Sequence, residues 1–145
     1  MFPIKSLQDL EKISKEVKWQ YFEKLVGWIF EQNDFEVGVN QVILFEKASG
    51  VLRRQFDVIA KRFNKTFLIE CKKWKGNRYK ASALKRAVES HIEKATLFKE
   101  KRKEEIIPVI VTMLQEDIIE HEGVPIVPID KLNTFINHHE EFIDK

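Results

Sequence analysis

The chain has 145 residues, of which 43% are hydrophobic and 33% charged, and its formal net charge is +2. This composition is typical of one folded globular domain and excludes a disordered or low-complexity chain. No apolar run approaches the ~20 residues that span a bilayer, and the start of the chain carries no signal-peptide pattern. The single cysteine, Cys71, cannot form an internal disulfide, so we expect a cytoplasmic protein without membrane contact.

The predicted elements mix helices and strands in the order α-β-β-β-α-β-(α)-β-α. Apolar residues at helical spacing predict a first helix from Trp19 to Phe30, and Asn33-Asp34 ends it. The elements predicted after it are strands Phe35–Phe45, Gln55–Ala60 and Thr66–Trp74, a helix from Ala81 to about Arg102, a strand Ile106–Met113, a short helix around Asp117–His121, a strand Val124–Ile129 and a closing helix capped by Asp130 that runs through Phe142. We find no repeat and no linker, so residues 1–145 are predicted to form a single α/β domain with a mixed sheet.

Charged residues occur at unexpected places on the two apolar strands of the predicted hairpin. Alternation along a strand puts Glu70 and Lys72 on one face, while Cys71 points to the other. Asp57 lies on the preceding strand between Phe56 and Val58, where the hairpin register would bring it beside Glu70. An ordinary cross-strand salt bridge would explain these three residues if they stood alone, but their apolar context favours a functional site.

Two carboxylates and one ammonium group are the parts that phosphodiester hydrolysis requires. The carboxylates of Asp57 and Glu70 are hard oxygen ligands, which suit Mg²⁺ or Mn²⁺, and the backbone carbonyl of Cys71 is a candidate third ligand. Such a metal would polarise the phosphate and lower the pKa of a bound water. Lys72 would orient or deprotonate that water, or neutralise charge that develops on the phosphate oxygens. The sequence leaves these roles of Lys72 open.

The net charge hides a strong segregation along the chain. Residues 53–103 contain seventeen Lys/Arg against five Asp/Glu, whereas both flanking segments are acidic. A basic segment of this kind is typical of a face that meets a polyanion, although a solvated lysine-rich surface is the alternative. The candidate phosphate contacts flank the proposed site: Arg53, Arg54, Lys73, Lys75, Arg78 and Lys80. His91, on the inner edge of its helix, is interpreted as a packing residue.

The run Phe56-Asp57-Val58-Ile59-Ala60, followed by Phe67-Leu68-Ile69-Glu70-Cys71-Lys72-Lys73-Trp74, resembles the PD-(D/E)XK restriction-endonuclease-like superfamily. The pattern is most similar to the Mrr-like branch and more distantly to archaeal Holliday-junction resolvases. The resemblance implies a restriction-endonuclease-like fold and a metal-dependent nuclease. The helical segment Tyr21–Val26 is similar to the helix of that branch whose glutamate faces the metal, which implies that Glu23 is an outer site carboxylate.

The leading hypothesis is a Mg²⁺- or Mn²⁺-dependent endonuclease that hydrolyses phosphodiester bonds in DNA. The alternatives are a catalytically inactive nucleic-acid-binding module and a subunit of a DNA repair or restriction complex. A homodimer would supply two sites for the two strands of a duplex. The sequence leaves the substrate open among duplex, branched, modified and single-stranded DNA, and RNA.

Overall fold

The fold is known from a computed structural model, which describes residues 19–72 and 81–143. Lys73, Lys75, Arg78 and Lys80, four of the predicted phosphate contacts, lie outside the described residues. The helices and strands are α1 Trp19–Glu31, β1 Glu36–Lys47, β2 Gly50–Arg62, β3 Lys65–Lys72, α2 Ala81–Lys101, β4 Glu105–Thr112, β5 Glu120–His121, β6 Val124–Pro128 and α3 Leu132–Ile143, with a 3₁₀ turn Ile129–Lys131 before α3.

The strands form one mixed sheet in the order β1-β2-β3-β4-β6-β5. Strands β1, β2 and β3 are antiparallel neighbours, and β4 lies parallel to both β3 and β6. The β3–β4 connection therefore requires a crossover, and α2 supplies it along the chain. This arrangement confirms the predicted mixed sheet flanked by helices.

Helices cover both faces of the sheet, and each face has its own apolar core. On one face, α1 and α3 pack on the sheet through residues such as Phe22, Ile29 and Phe135. On the other face, α2 packs through Phe98 and Val88 in two smaller clusters. The apolar stripe of α1 predicted its buried side, since Phe22, Leu25, Val26, Ile29 and Phe30 are all at most 1% exposed.

The end of α1 and the start of β1 are closed by local contacts. The Asn33 side chain donates to the carbonyl of Ile29 at 2.9 Å, which satisfies one of the last carbonyls of the helix. Asp34 follows with a φ of 66°, a left-handed conformation that commonly ends helices. The predicted helix stop at Asn33-Asp34 is therefore confirmed.

The predicted short helix around Asp117–His121 is wrong. Glu120–His121 instead forms β5, which pairs antiparallel with β6 through Glu120–Pro125 and His121–Val124. Glu122 and Gly123 form the turn between the two strands, with φ values of 51° and 81°, and the backbone groups of β5 face those of β6 instead of the preceding turn of a helix. The predicted cap at Asp130 is also wrong, because the 3₁₀ turn begins after Pro128 and Asp130 lies inside it.

Pro108 lies inside β4, opposite Leu68 of β3. Strand β6 joins β4 only from Ile110 onward, so among the residues that the structure describes none pairs with Pro108 on that side of β4. A proline has no N–H to donate to a ladder and is tolerated where a strand is locally an edge. Pro108 therefore lies where β4 is locally an edge strand.

Candidate active site

The candidate site lies where β2 and β3 stop pairing. The last paired residues are Val58 and Ile69, and the next positions along the two strands are Asp57 and Glu70. The backbone N–H of Cys71, beyond that last pair, donates to Asp57 Oδ2 at 2.8 Å. The end of the ladder therefore holds the Asp57 carboxylate against β3 through the backbone.

The regular alternation of side chains between the two faces of the sheet is interrupted in the hairpin β1–β2 at the same point. Phe56 packs in the core under α2, whereas Val58, which would share its face in a regular strand, packs in the core under α1. Strand β1 makes the same change between Val39 and Ile43, and the pair Asn40–Asp57 is missing from the register. Asn40 has a φ of 54° at this position. Asp57, at the change of face, is half-buried between the two sides of the sheet.

Glu70 lies between two ammonium groups. Lys72 Nζ is 3.1 Å from Glu70 Oε2, and Lys94 Nζ of α2 is 3.4 Å from Glu70 Oε1. Lys94 also donates to the carbonyl of Gln55 at 2.9 Å, which places it over the end of the ladder. Burial raises the pKa of Glu70, but the charges of Lys94 and Lys72 together lower it by more than burial raises it. The pKa therefore lies below its usual value, and the carboxylate is ionised.

Glu23 brings a third carboxyl group to the site from α1. Its side chain is 7% exposed, shares a hydrogen bond with Asp57 and is repelled by the charge of Glu70. Burial raises the pKa of Glu23, and the hydrogen bonds with Asn40 and Asp57 oppose that rise. The structure thus brings together the four side chains that the sequence predicts for the site, Glu23, Asp57, Glu70 and Lys72.

Asp57 is the carboxyl group of the site whose pKa is raised most strongly. Burial, followed by the charges of Glu70 and Glu23, raises its pKa to about 7, although the Cys71 N–H and Lys94 act in the opposite direction. Three carboxyl groups that converge in a partly buried notch repel one another, and a divalent cation would remove that repulsion. The donor set consists of hard oxygen atoms, so the residues present fit Mg²⁺ or Mn²⁺.

Cys71 lies beneath the site on the opposite face of β3. Its side chain is 1% exposed and packs in the core under α1. Burial, and then the charge of Asp57, raises the pKa of the thiol. The Cys71 side chain is therefore a small buried residue of the core, and the role of its carbonyl stays a prediction.

His91 of α2 contacts the same strand from above. Its ring is 1% exposed, and Nε2 lies 2.7 Å from the carbonyl of Leu68, two residues before Glu70. Because a carbonyl only accepts, Nε2 carries the proton and donates it. Burial lowers the pKa of His91, so the ring is neutral, and Nδ1 has no hydrogen-bond partner among the described residues. The predicted packing role holds, with a hydrogen bond to β3 added.

The two predicted phosphate contacts on β2 differ in their availability. Arg53 is exposed. Arg54 points to the other face, where its guanidinium makes two 2.9 Å hydrogen bonds to the carboxylate of Glu93 on α2. Arg54 is therefore engaged in fixing the hairpin to α2, and Arg53 is the better placed of the two for an external phosphate.

Lys94 and Asn40 are site residues that sequence reasoning missed. Lys94 follows buried His91 by three positions and precedes buried Ala95, so the apolar stripe of α2 places it at the edge of the buried face. That position was the available signal for a lysine aimed at the sheet. Asn40 carries no comparable signal, because its contact depends on the irregular backbone of β1.

A second group of potential ligands lies elsewhere. Glu89, His121 and Glu122 bring one ligand atom each within 4.8 Å of the others. His121 Nε2 is 3.6 Å from Glu89 Oε2, and both carboxylates belong to exposed residues. This group shares no residue with the predicted ligand set.

Known proteins resemble the chain in both sequence and fold. The Mrr catalytic family of restriction endonucleases matches residues 14–99. The chain belongs to this restriction endonuclease family. An uncharacterized protein of Archaeoglobus fulgidus is 31% identical over 122 residues, which cover 84% of this chain and 92% of that relative.

Solved structures agree with the Mrr assignment at the level of the fold. The small subunit of the heterodimeric restriction endonuclease R.BspD6I matches 96% of this Mrr-family chain and 80% of its own, with a TM-score of 0.60 and 15% identity. The protein of unknown function AF1548 matches with a TM-score of 0.52 and 20% identity, and VC1899 from Vibrio cholerae with 0.56 and 17%. The match spans 46% of AF1548 and 34% of VC1899.

Among residues 19–72 and 81–143, no helix combines the length and the apolar character that crossing a membrane requires.

Proposed function

We propose that this protein is a Mg²⁺- or Mn²⁺-dependent nuclease that hydrolyses phosphodiester bonds in DNA, and that residues 1–145 act as one nuclease domain. The observation that carries the proposal is the convergence of Glu23, Asp57 and Glu70 beside Lys72 at the end of the β2–β3 ladder. Membership of a restriction endonuclease family supports the same activity.

In this proposal each residue has a defined task. Asp57 and Glu70, together with the carbonyl of Cys71, would hold the divalent cation, and Glu23, which shares a hydrogen bond with Asp57, would be an outer carboxylate. The chemistry that such a cation would supply is polarisation of the phosphate and a lower pKa for a water molecule. Lys72, whose Nζ lies 3.1 Å from Glu70 Oε2, would orient the attacking water or neutralise charge on the phosphate oxygens.

The test is a cleavage assay on labelled linear duplex, branched and single-stranded DNA, with Mg²⁺, with Mn²⁺ and with chelator. We expect cutting only with a divalent cation, and a loss of at least about 100-fold in both Asp57→Ala and Lys72→Ala. Lys61→Ala is the matched control, because Lys61 lies on β2 beyond the site and pairs with Glu104 at 2.9 Å. A Lys72→Ala protein that cuts DNA as fast as the wild type would contradict the mechanism.

The same assay separates the nuclease from a non-catalytic module. Binding of DNA without cutting, together with calorimetry that shows no cation binding dependent on Asp57 and Glu70, would favour the module. The likeness to a small subunit of a heterodimeric enzyme favours a second subunit for double-strand cleavage, either another copy or a different chain. Light scattering with and without duplex DNA measures whether a dimer forms.

A further inference from the structure

A basic cavity lies at the opposite end of β3 from the candidate active site. Its volume is about 890 Å³, which is within the usual size range of ligand sites. It is lined by the β2–β3 turn, the last turn of α2 and the start of β4: Arg62, Phe63, Asn64, Lys65, Lys99, Arg102, Lys103, Glu104 and Glu105. Strand β3 runs from Lys65 at the cavity to Lys72 at the site, a separation of about 23 Å at the usual rise per residue.

The cavity has more positively charged side chains than carboxylates that could contact a ligand. Glu104 is already held by Lys61 at 2.9 Å and by the Thr66 hydroxyl at 2.7 Å. Lys99 and Lys103 are exposed, and none of the ion pairs found within the described ranges involves either of them. The cavity therefore presents free positive charge.

An aromatic ring stands at the edge of the cavity in a conformation that aromatic residues rarely adopt. Phe63 is 87% exposed and has a φ of 58° in the β2–β3 turn. A positive φ at a bulky residue is an outlier, since glycine adopts this conformation without steric cost. The turn thus keeps an apolar ring in water at a position where glycine would serve the fold better.

We propose that this cavity is an accessory binding site for single-stranded nucleic acid. The cations Lys99, Arg102 and Lys103 would contact the phosphates, and a base would stack on Phe63. Cations that follow a backbone, combined with an exposed ring on which bases stack, are the recurring means of binding single strands. The choice of a nucleic acid as ligand rests on the nuclease function proposed above.

The test measures binding of a fluorescent single-stranded oligonucleotide by anisotropy, with the full chain in chelator, so no cleavage is involved. We expect Phe63→Gly to weaken binding by about tenfold or more while the melting temperature stays the same or rises, because glycine suits this turn. Phe63→Trp keeps a stacking ring and should retain affinity. An unchanged affinity in Phe63→Gly overturns the proposal.

The charged side of the site has its own matched pair of variants. Lys99→Gln should weaken binding and make the dependence of log affinity on log salt shallower by about 0.7. Lys131→Gln removes the same charge from a residue outside the cavity and should change affinity by less than about twofold. Equal effects of the two variants would overturn the site. A free mononucleotide that competes as well as the strand would also overturn it, because the site would then serve nucleotides.

A covalent readout locates the strand directly. A strand that carries 5-iodouracil, irradiated on the protein, should form an adduct on the peptide that contains Phe63, and Phe63→Gly should lose it. An adduct confined to other peptides contradicts the proposal. These binding measurements do not depend on catalysis. A protein that cuts no DNA but binds the strand through Phe63 would support the accessory site and contradict the nuclease function. A protein that cuts DNA but does not bind through Phe63 would support the nuclease function and contradict the accessory site.

Discussion

Asp57 is the residue whose position suits the proposed chemistry but lowers the stability of the metal-free fold. Its carboxyl group is half-buried between Glu23 and Glu70, and the same placement that suits a cation raises its pKa to about 7. Without a cation, a large fraction of Asp57 is protonated near neutral pH. The site is therefore a source of instability that a bound cation would relieve.

The first prediction concerns Asp57→Asn in the metal-free protein. The folded pKa of about 7 exceeds the unfolded value near 3.9, so the stabilisation present at low pH is lost as the pH rises through 7. We expect the wild-type free energy of unfolding to fall by at least about 1.4 kcal/mol between about pH 5 and about pH 8. The variant should fall less, because asparagine still accepts from the Cys71 N–H and carries no charge. Urea titrations in chelator measure both, and parallel pH profiles would contradict the assignment.

The second prediction concerns Lys94, which lowers the pKa of both Glu70 and Asp57. Replacing it in Lys94→Met removes that charge, so the acidic limb of the pH–rate profile should move to higher pH. Lys85→Met, a surface lysine on the same helix, should leave the midpoint in place. A profile for Lys94→Met that superimposes on that of the wild type would show that Lys94 has only a structural part.

Strand alternation was enough to predict Glu70 and Lys72 on one face, and hairpin adjacency was enough to predict Asp57 beside them. Lys94 was not predictable in the same way. Its contact with Glu70 spans 24 residues and depends on how α2 is rotated over the sheet, which no local pattern of α2 determines. Residue contacts within one hairpin follow from periodicity, whereas contacts between layers require the packed structure.

At the scale of elements, the hairpin β1–β2 shows what periodicity misses. Alternate residues of β2 are buried from Phe56 to Ala60 without interruption, so the pattern predicts one continuous buried face. In the structure that face divides, with Phe56 under α2 and Val58 under α1. The pattern reports burial but not which helix supplies it, and the division at Asp57 creates the notch. The wrong helix at Asp117–His121 has a related cause, since a two-residue strand is too short to show a period.

The third prediction tests how α1 positions Glu23. A Cβ at Gly27 would lie 3.0 Å from Val37 Cγ1 and 3.2 Å from Val39 Cγ2, so α1 and β1 touch at this glycine. Gly27→Leu should lower the free energy of unfolding by about 1–3 kcal/mol and reduce cleavage as α1 moves with Glu23. Lys24→Leu on the exposed side of α1 is the control, and thermal melting with a cleavage assay measures both. Full stability and activity in Gly27→Leu would refute this close packing.

At the scale of the molecule, the basic segment, residues 53–103, contributes side chains to both the candidate active site and the distant cavity. Residues 53–103 contain Asp57, Glu70 and Lys72 of the candidate active site and the cationic lining of the distant cavity. The charge segregation predicted contact with a polyanion but not a division between opposite ends of β3. That division follows from the chain entering β3 at the cavity and leaving it at the site.

The fourth prediction concerns the salt dependence of duplex binding. Each phosphate contact contributes about 0.9 to the slope of log affinity against log salt. Arg53→Gln should make the slope shallower by about that amount, whereas Arg54→Gln should change it little, because Arg54 is already bound to Glu93. Filter binding at several salt concentrations gives both slopes. A larger effect of Arg54→Gln would mean that the duplex displaces Glu93.

The buried thiol of Cys71 gives the protein a native reporter of its own site. It is the single cysteine of the chain, and it lies on the reverse side of the strand that carries Glu70 and Lys72. A thiol reagent can reach it only when β3 separates from α1, so the rate of labelling measures that opening. A cation held by Asp57 and Glu70 would favour the closed strand and slow the labelling. Occupancy of the site can therefore be followed as a reaction rate, with no substitution and no substrate.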